Sequence, residues 1–228
     1  MPIYKNANEL IEEEVPRAIR AKIYPYFQSG LQAYKEILNE EKELFSSAFF
    51  SNLKGWLLNF MMFRQFELDM ISNTFPFIAS PIKVNSFNYQ GLNLLHNNII
   101  INVGRSINKD NLPNRSTYRR NYSKKNRFPD QDLFYGISRS YDSFFELNEP
   151  YFAVITYGVK QGDLEFINLM VPNWNMTESL ATIDLMKEFS LFESTNKEIV
   201  TLEKNQTSIK DEFKKKLHLV KGEKDESS

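Results

Sequence analysis

The side chains able to do chemistry in this 228-residue chain are unevenly spread: two histidines, no cysteine, and one dense run of arginine, lysine and tyrosine. That run reads RSTYRRNYSKKNRF over residues 115–128, six cations and two tyrosines without an acid. Widened to residues 105–127, it holds Arg105, Lys109, Arg115, Arg119, Arg120, Lys124, Lys125 and Arg127 against Asp110 alone, a net of +7. The whole chain carries −1, so the remainder stands at −8 and net positive charge is concentrated in about a tenth of the sequence. Such a separation favours a polyanionic partner. Spacing adds a second clue. A helix would bring Arg115, Tyr118, Arg119 and Tyr122 onto one face, and a strand would align Tyr118, Arg120, Tyr122, Lys124 and Phe128. Cations beside rings suit a single strand or flexible RNA, with phosphates meeting the charges and bases stacking on tyrosine. The competing reading is a loop that pairs with the acidic runs IEEE (11–14) and NEEKE (39–43) of the same chain.

Carboxylates offer the alternative chemistry. Asp163 and Glu165 stand two apart at the start of an expected strand, so both project from one face and can share a Mg²⁺ or Mn²⁺, as in metal-dependent nucleases. A third carboxylate would come from Asp130, Asp132 or Asp142. Pro129-Asp130 matches the opening of the restriction-nuclease pattern Pro-Asp…(Asp/Glu)-x-Lys, but the downstream Glu212 and Lys214 fall on a helical stretch instead of a strand. His96, just before a strand, is a candidate general base, whereas His218 lies among lysines. The lack of cysteine excludes a disulfide framework, Cys-ligated zinc and a thiol nucleophile. No phosphate-cradling glycine loop and no nucleophile elbow is present, so no cofactor is expected beyond the metal of the nuclease alternative.

The elements that must position these groups follow from periodicity. Residues 8–71 have a helical pattern broken at Pro16 and Pro25, predicting two short helices and a long third one with Leu44, Phe45, Leu53, Trp56, Leu57, Phe60 and Phe66 on one face. The apolar stretch 44–63 is long enough to span a bilayer, but its serines, asparagines and Lys54 favour a buried helix. Beyond Pro76 and Pro81 the texture turns to strands: the β-branched run 99–103, then 151–159 and 164–171 flanking a turn at Gly162. Between residues 103 and 151 the chain lacks apolar periodicity, and a connection of that length is expected to be functional or disordered. MTESLATIDLMKEF predicts a helix capped by Thr177, followed by a second amphipathic helix to about residue 220.

The expected fold is α+β: a helical N-terminal layer (1–75), a small, mostly antiparallel sheet region (76–175) with a long basic insertion (104–150), a C-terminal helical pair (176–220) and a disordered tail (221–228). The N-terminus lacks an apolar signal segment, so a cytoplasmic location is expected, with no membrane partner. Lysine outnumbers arginine nineteen to nine, the codon bias of an AT-rich genome, which points to bacterial or phage origin. The chain is read first as a binding protein that contacts DNA or RNA through Arg105, Lys109, Arg115, Tyr118, Arg119, Arg120, Tyr122, Lys124, Lys125 and Arg127. The alternatives are a nuclease using Asp163 and Glu165, and an interaction or inhibitor module docking on an acidic protein. A homodimer through the last helix is a further expectation, from a-and-d-like spacing of apolar residues.

Overall fold

Apolar runs build the centre of the sheet, and one connection too long for a hairpin decides its topology. A computed structural model of the chain describes residues 2–48, 50, 52–67, 70–72, 74–84, 90–114, 116–130 and 150–195. These fall into two compact units, one from residues 2–24 with 74–195 and the other from residues 25–72. The second C-terminal helix, through which a homodimer is expected, and the tail lie outside the described residues.

The helices are α1 (Ala7–Glu14), α2 (Arg17–Arg20), α3 (Tyr24–Glu40), α4 (Lys42–Ser46), α5 (Leu53–Arg64), α6 (Thr117–Ser123) and α7 (Leu185–Thr195). The strands are β1 (Ile78–Lys83), β2 (Gln90–His96), β3 (Ile99–Arg105), β4 (Tyr151–Lys160), β5 (Asp163–Pro172) and β6 (Ser179–Asp184), lying side by side in chain order. The α+β class expected from the sequence is therefore present, with a six-stranded mixed sheet and a helix near the C-terminal end.

All neighbouring strands run antiparallel except β3 and β4, which pair in parallel from Ile99↔Tyr151 to Arg105↔Tyr157. No hairpin can join parallel strands; the chain must cross over through a dozen or more residues, usually with a helix. Residues 106–150 are that crossover and α6 is its described helix. A connection longer than any hairpin turn is thus a requirement of topology, although about a dozen residues would suffice. Two hairpins close through two-residue turns, β2 onto β3 and β4 onto β5. Gln161 and Gly162, with φ of 52° and 88°, close β4 onto β5, the paired positive angles of the turn that matches strand twist.

Strands β4 and β5 fall where the sequence placed them, but two helical expectations are corrected. MTESLATIDLMKEF does not form one helix: Ser179 to Asp184 add β6 to the free edge of β5, and only from Leu185 does α7 begin. Thr182 and Ile183 are β-branched and the edge supplied backbone partners, which outweighs a weak helical period. Asp184, not Thr177, caps α7, accepting from the amides of Met186 and Lys187, each at 3.0 Å. The long third helix is also interrupted. α4 ends at Ser46, Ser47 turns extended at ψ 136°, and α5 starts at Leu53. Ser46 Oγ donates back to the Glu43 carbonyl at 2.7 Å, the local bond by which serine competes with helix continuation. Leu53 and Trp56, assigned to the apolar face, are exposed. Within the 25–72 unit, Ala33 and Ile37 of α3 pack with Phe45, Leu57, Met61 and Met70 to form the core. Among the described residues no helix is long and apolar enough to cross a membrane.

Candidate nucleic-acid interface

Strand alternation sorts the sheet around β3 and β4 into two faces. Ile100, Asn102 and Gly104 share a face with Phe152, Val154 and Thr156, and with Asn168 and Met170 of β5. The crossover covers this face. Leu112 and Tyr122 pack on Phe152, Val154 and Ile100, the Tyr122 ring stacking on Phe152 at 5.6 Å. Asn168 Nδ2 donates to the Lys109 carbonyl at 2.7 Å.

Two buried asparagines fasten the crossover to the sheet. Asn102 is fully buried. Its Nδ2 donates to the Leu92 carbonyl at 3.1 Å and to Asn93 Oδ1 at 2.8 Å, while its Oδ1 accepts from the Tyr118 hydroxyl at 2.8 Å and from Arg119 Nε at 2.9 Å. One amide therefore ties β2 and β3 to α6. Asn126 is buried just beyond the last β4–β5 pair, Val154↔Met170, where Phe152 and Pro172 no longer pair with each other. Its Oδ1 accepts from the Phe152 amide at 3.0 Å and its Nδ2 donates to the carbonyls of Phe152 and Pro172, both at 2.7 Å. The side chain takes the place of a strand peptide there.

This attachment divides the sequence-predicted site into inner and outer residues. Tyr118, Arg119, Tyr122 and Ser123 of α6 face the sheet, whereas Thr117, Arg120, Asn121 and Lys124 are exposed, an alternation with the helical period. Arg119 is spent internally. Besides Asn102 it donates through Nη1 to the Asn114 carbonyl at 2.8 Å, lies 5.3 Å from the Tyr118 ring centroid, and crosses Gly104 so closely that a Cβ there would sit 2.8 Å from Nη2. Burial raises the pKa of the Tyr118 hydroxyl, opposed by the Arg119 charge and the hydrogen bonds, so at neutral pH it stays protonated and donates. Lys109 is exposed, and so is Arg105, though strand alternation turns Arg105 to the face opposite Asn102 and Gly104. Lys125 and Arg127 are half-buried, Phe128 is buried and stacks on Tyr151 at 5.8 Å, and Arg115 lies outside the described residues.

The contrast between neighbours gives a test. Arg119→Ala is expected to lower stability by about 1 kcal/mol, since it removes one of the two donors to the buried Asn102 oxygen together with the side chain packed over Gly104. Arg120→Ala, on the outer stripe, is expected to leave the thermal midpoint unchanged. Calorimetry of the two variants measures both.

Of the first acidic run expected to neutralise the insertion, Glu12 and Glu14 are committed elsewhere. Glu12 pairs with Arg20 at 3.0 Å, and Glu14 accepts from the Tyr4 hydroxyl and from Asn98, whose Nδ2 lies 2.9 Å away. Asp163 and Glu165 are exposed at the turn end of the β4–β5 hairpin, with Glu165 3.7 Å from Lys160. Asp130 sits at the other end of β4, beside Asn6 and near the Phe128–Tyr151 stack, roughly 30 Å away at the rise of an extended strand. Asp132 and Asp142 lie outside the described residues, among which no three metal-ligating side chains converge. His96 Nδ1 is 2.7 Å from the Pro76 carbonyl and its ring lies 5.3 Å from that of Phe77.

One residue absent from the sequence reading joins the basic segment. Trp174, in the β5–β6 connection, is 48% exposed. Ser123 Oγ donates to its carbonyl at 3.0 Å, and the Arg127 guanidinium lies 5.3 Å from its ring centroid. Beside it opens a cleft of about 310 Å³, walled on one side by Asn126, Arg127 and Phe128 and on the other by Asn173, Trp174, Glu178 and Leu180. Comparison with known protein families finds no matching model, and comparisons with curated proteins and with solved structures find no match either.

Proposed function

We propose that the protein binds nucleic acid through the outer surface of its crossover connection, with Lys109, Arg120 and Lys124 meeting phosphates. The observation that carries this reading is the division of α6. Its inner positions are consumed by the sheet, while its outer stripe keeps two cations and two polar residues with no acid. Arg120 and Lys124 are one turn apart, about 6 Å along the helix axis, so both can reach one backbone. Cations placed this way, on a chain that is acidic elsewhere, favour a polyanion and orient it. Tyr118 and Tyr122 drop out as stacking rings, since both are turned onto the sheet.

Binding of a fluorescein-labelled DNA or RNA 20-mer, followed by anisotropy, tests the proposal. With three phosphate contacts, raising salt from 50 to 200 mM is expected to weaken binding roughly 20-fold on single strands and 40-fold on duplex, each contact adding about 0.7 or 0.9 to the log–log slope. The Arg120→Ala, Lys124→Ala double change removes about two contacts from that slope while leaving the melting curve in place. Absence of binding to either polymer at 50 mM salt overturns the proposal.

A further inference from the structure

We infer that Trp174 and the cleft beside it hold a single unpaired base, so that the protein prefers single-stranded nucleic acid to duplex. The inference rests on the phosphate-binding reading above and specifies its substrate class. A nucleobase offers a flat π-face and a polar edge, and proteins that take single strands without reading sequence pair a basic track with exposed aromatic rings. α6 and the β5–β6 connection supply both parts side by side.

The ring is held rigidly although it is exposed. Its backbone is fixed to the end of α6 by the Ser123 bond. Asn173, one residue before, ties the turn through Oδ1 to the amides of Thr177 at 2.8 Å and Glu178 at 3.4 Å. Arg127 orients the indole and places a positive charge on the cleft wall. Little side-chain freedom is then lost when a base settles on the ring, which favours affinity.

Dimensions and charge restrict the occupant. At about 310 Å³ the cleft stands at the low end of ligand-site volumes, suited to one planar group. A base inside a duplex has both faces covered by its neighbours, so only an unpaired base can enter. Glu178 on the second wall repels phosphate, whereas Arg120 and Lys124 follow from α6, next to the first wall. The backbone is therefore expected along α6 with the base turned toward Trp174.

Trp56 is the second tryptophan of the chain, so a Trp56→Phe background isolates the Trp174 signal. Titration at 50 mM salt with a mixed-sequence DNA 12-mer, as single strand and as duplex, is expected to quench the fluorescence with the single strand only. Trp174→Ala is expected to weaken single-strand binding roughly 10-fold or more and to abolish the preference over duplex. The salt slope stays unchanged, because no phosphate contact is lost, and Trp174→Phe restores most of the affinity. Binding that is silent at Trp174, with equal affinity for both forms and no change in Trp174→Ala, overturns the single-strand inference and leaves the phosphate-binding reading standing. If neither form binds at 50 mM salt, the reading falls and the inference with it.

Discussion

Asn126→Ala is expected to lower the free energy of unfolding by about 3 kcal/mol or more. Truncation leaves the Phe152 amide and the carbonyls of Phe152 and Pro172 without the partner that now satisfies all three. A buried polar group that loses its partner costs about 1–3 kcal/mol, and Asn126 is buried next to Phe128 and Phe152, which carry no polar side-chain atoms. Leucine, of similar size, restores volume but not the bonds, so Asn126→Leu should be nearly as damaging. Urea titration measures both; a loss below about 1 kcal/mol would mean that water replaces the amide. Asn126 also precedes Arg127 and lines the Trp174 cleft, so partial unfolding here should weaken single-strand binding more than the salt slope predicts.

Asn102→Leu is expected to cost about 2–4 kcal/mol and, unlike the first change, to loosen the crossover specifically. Four bonds converge on this amide. Its two donors hold β2, and its oxygen collects Tyr118 and Arg119, so leucine orphans groups on both sides of β3 at once. Tyr118 and Arg119 are only half-buried and can turn partly to water, which keeps the cost below the sum of four buried bonds. A double-mutant cycle with Arg119→Ala is expected to return a coupling of about 1 kcal/mol, since both changes break the same contact. Hydrogen exchange provides the second measurement. Amides of α6 should lose protection in Asn102→Leu while those of β4 and β5 keep it. If α6 stays protected, the helix is held by its apolar contacts with Phe152 and not by the amide.

The hairpin of β4 and β5 could be placed from the chain alone because its determinants are local: two apolar runs and a Gln-Gly turn whose residues accept positive φ. The run IIINV announces β3 for the same reason, and the asparagine inside it is itself a signal, since a buried β-branched run admits Asn102 only if something satisfies its amide. The breaks missed in the helical half and at β6 have a different origin. Ser47 and the Ser-Leu-Ala-Thr-Ile segment can go either way locally, and the free edge of β5 decides the second case. For the basic segment, residue types and charge were legible but direction was not. Nothing local distinguishes Arg119 from Arg120; the Asn102 amide on the sheet beneath α6 makes one a structural bolt and leaves the other facing solvent.

Composition and pattern by themselves determined the α+β class, the concentration of positive charge in one connection and the chemistry that the lack of cysteine removes, because these depend on residue counts and short-range period. Tertiary structure alone decided that β3 and β4 run parallel, which makes the long connection a crossover, and that Trp174, some fifty residues from α6, stands beside it. Both are contacts between segments distant in the chain, and their stability depends on the surface each segment finds opposite it.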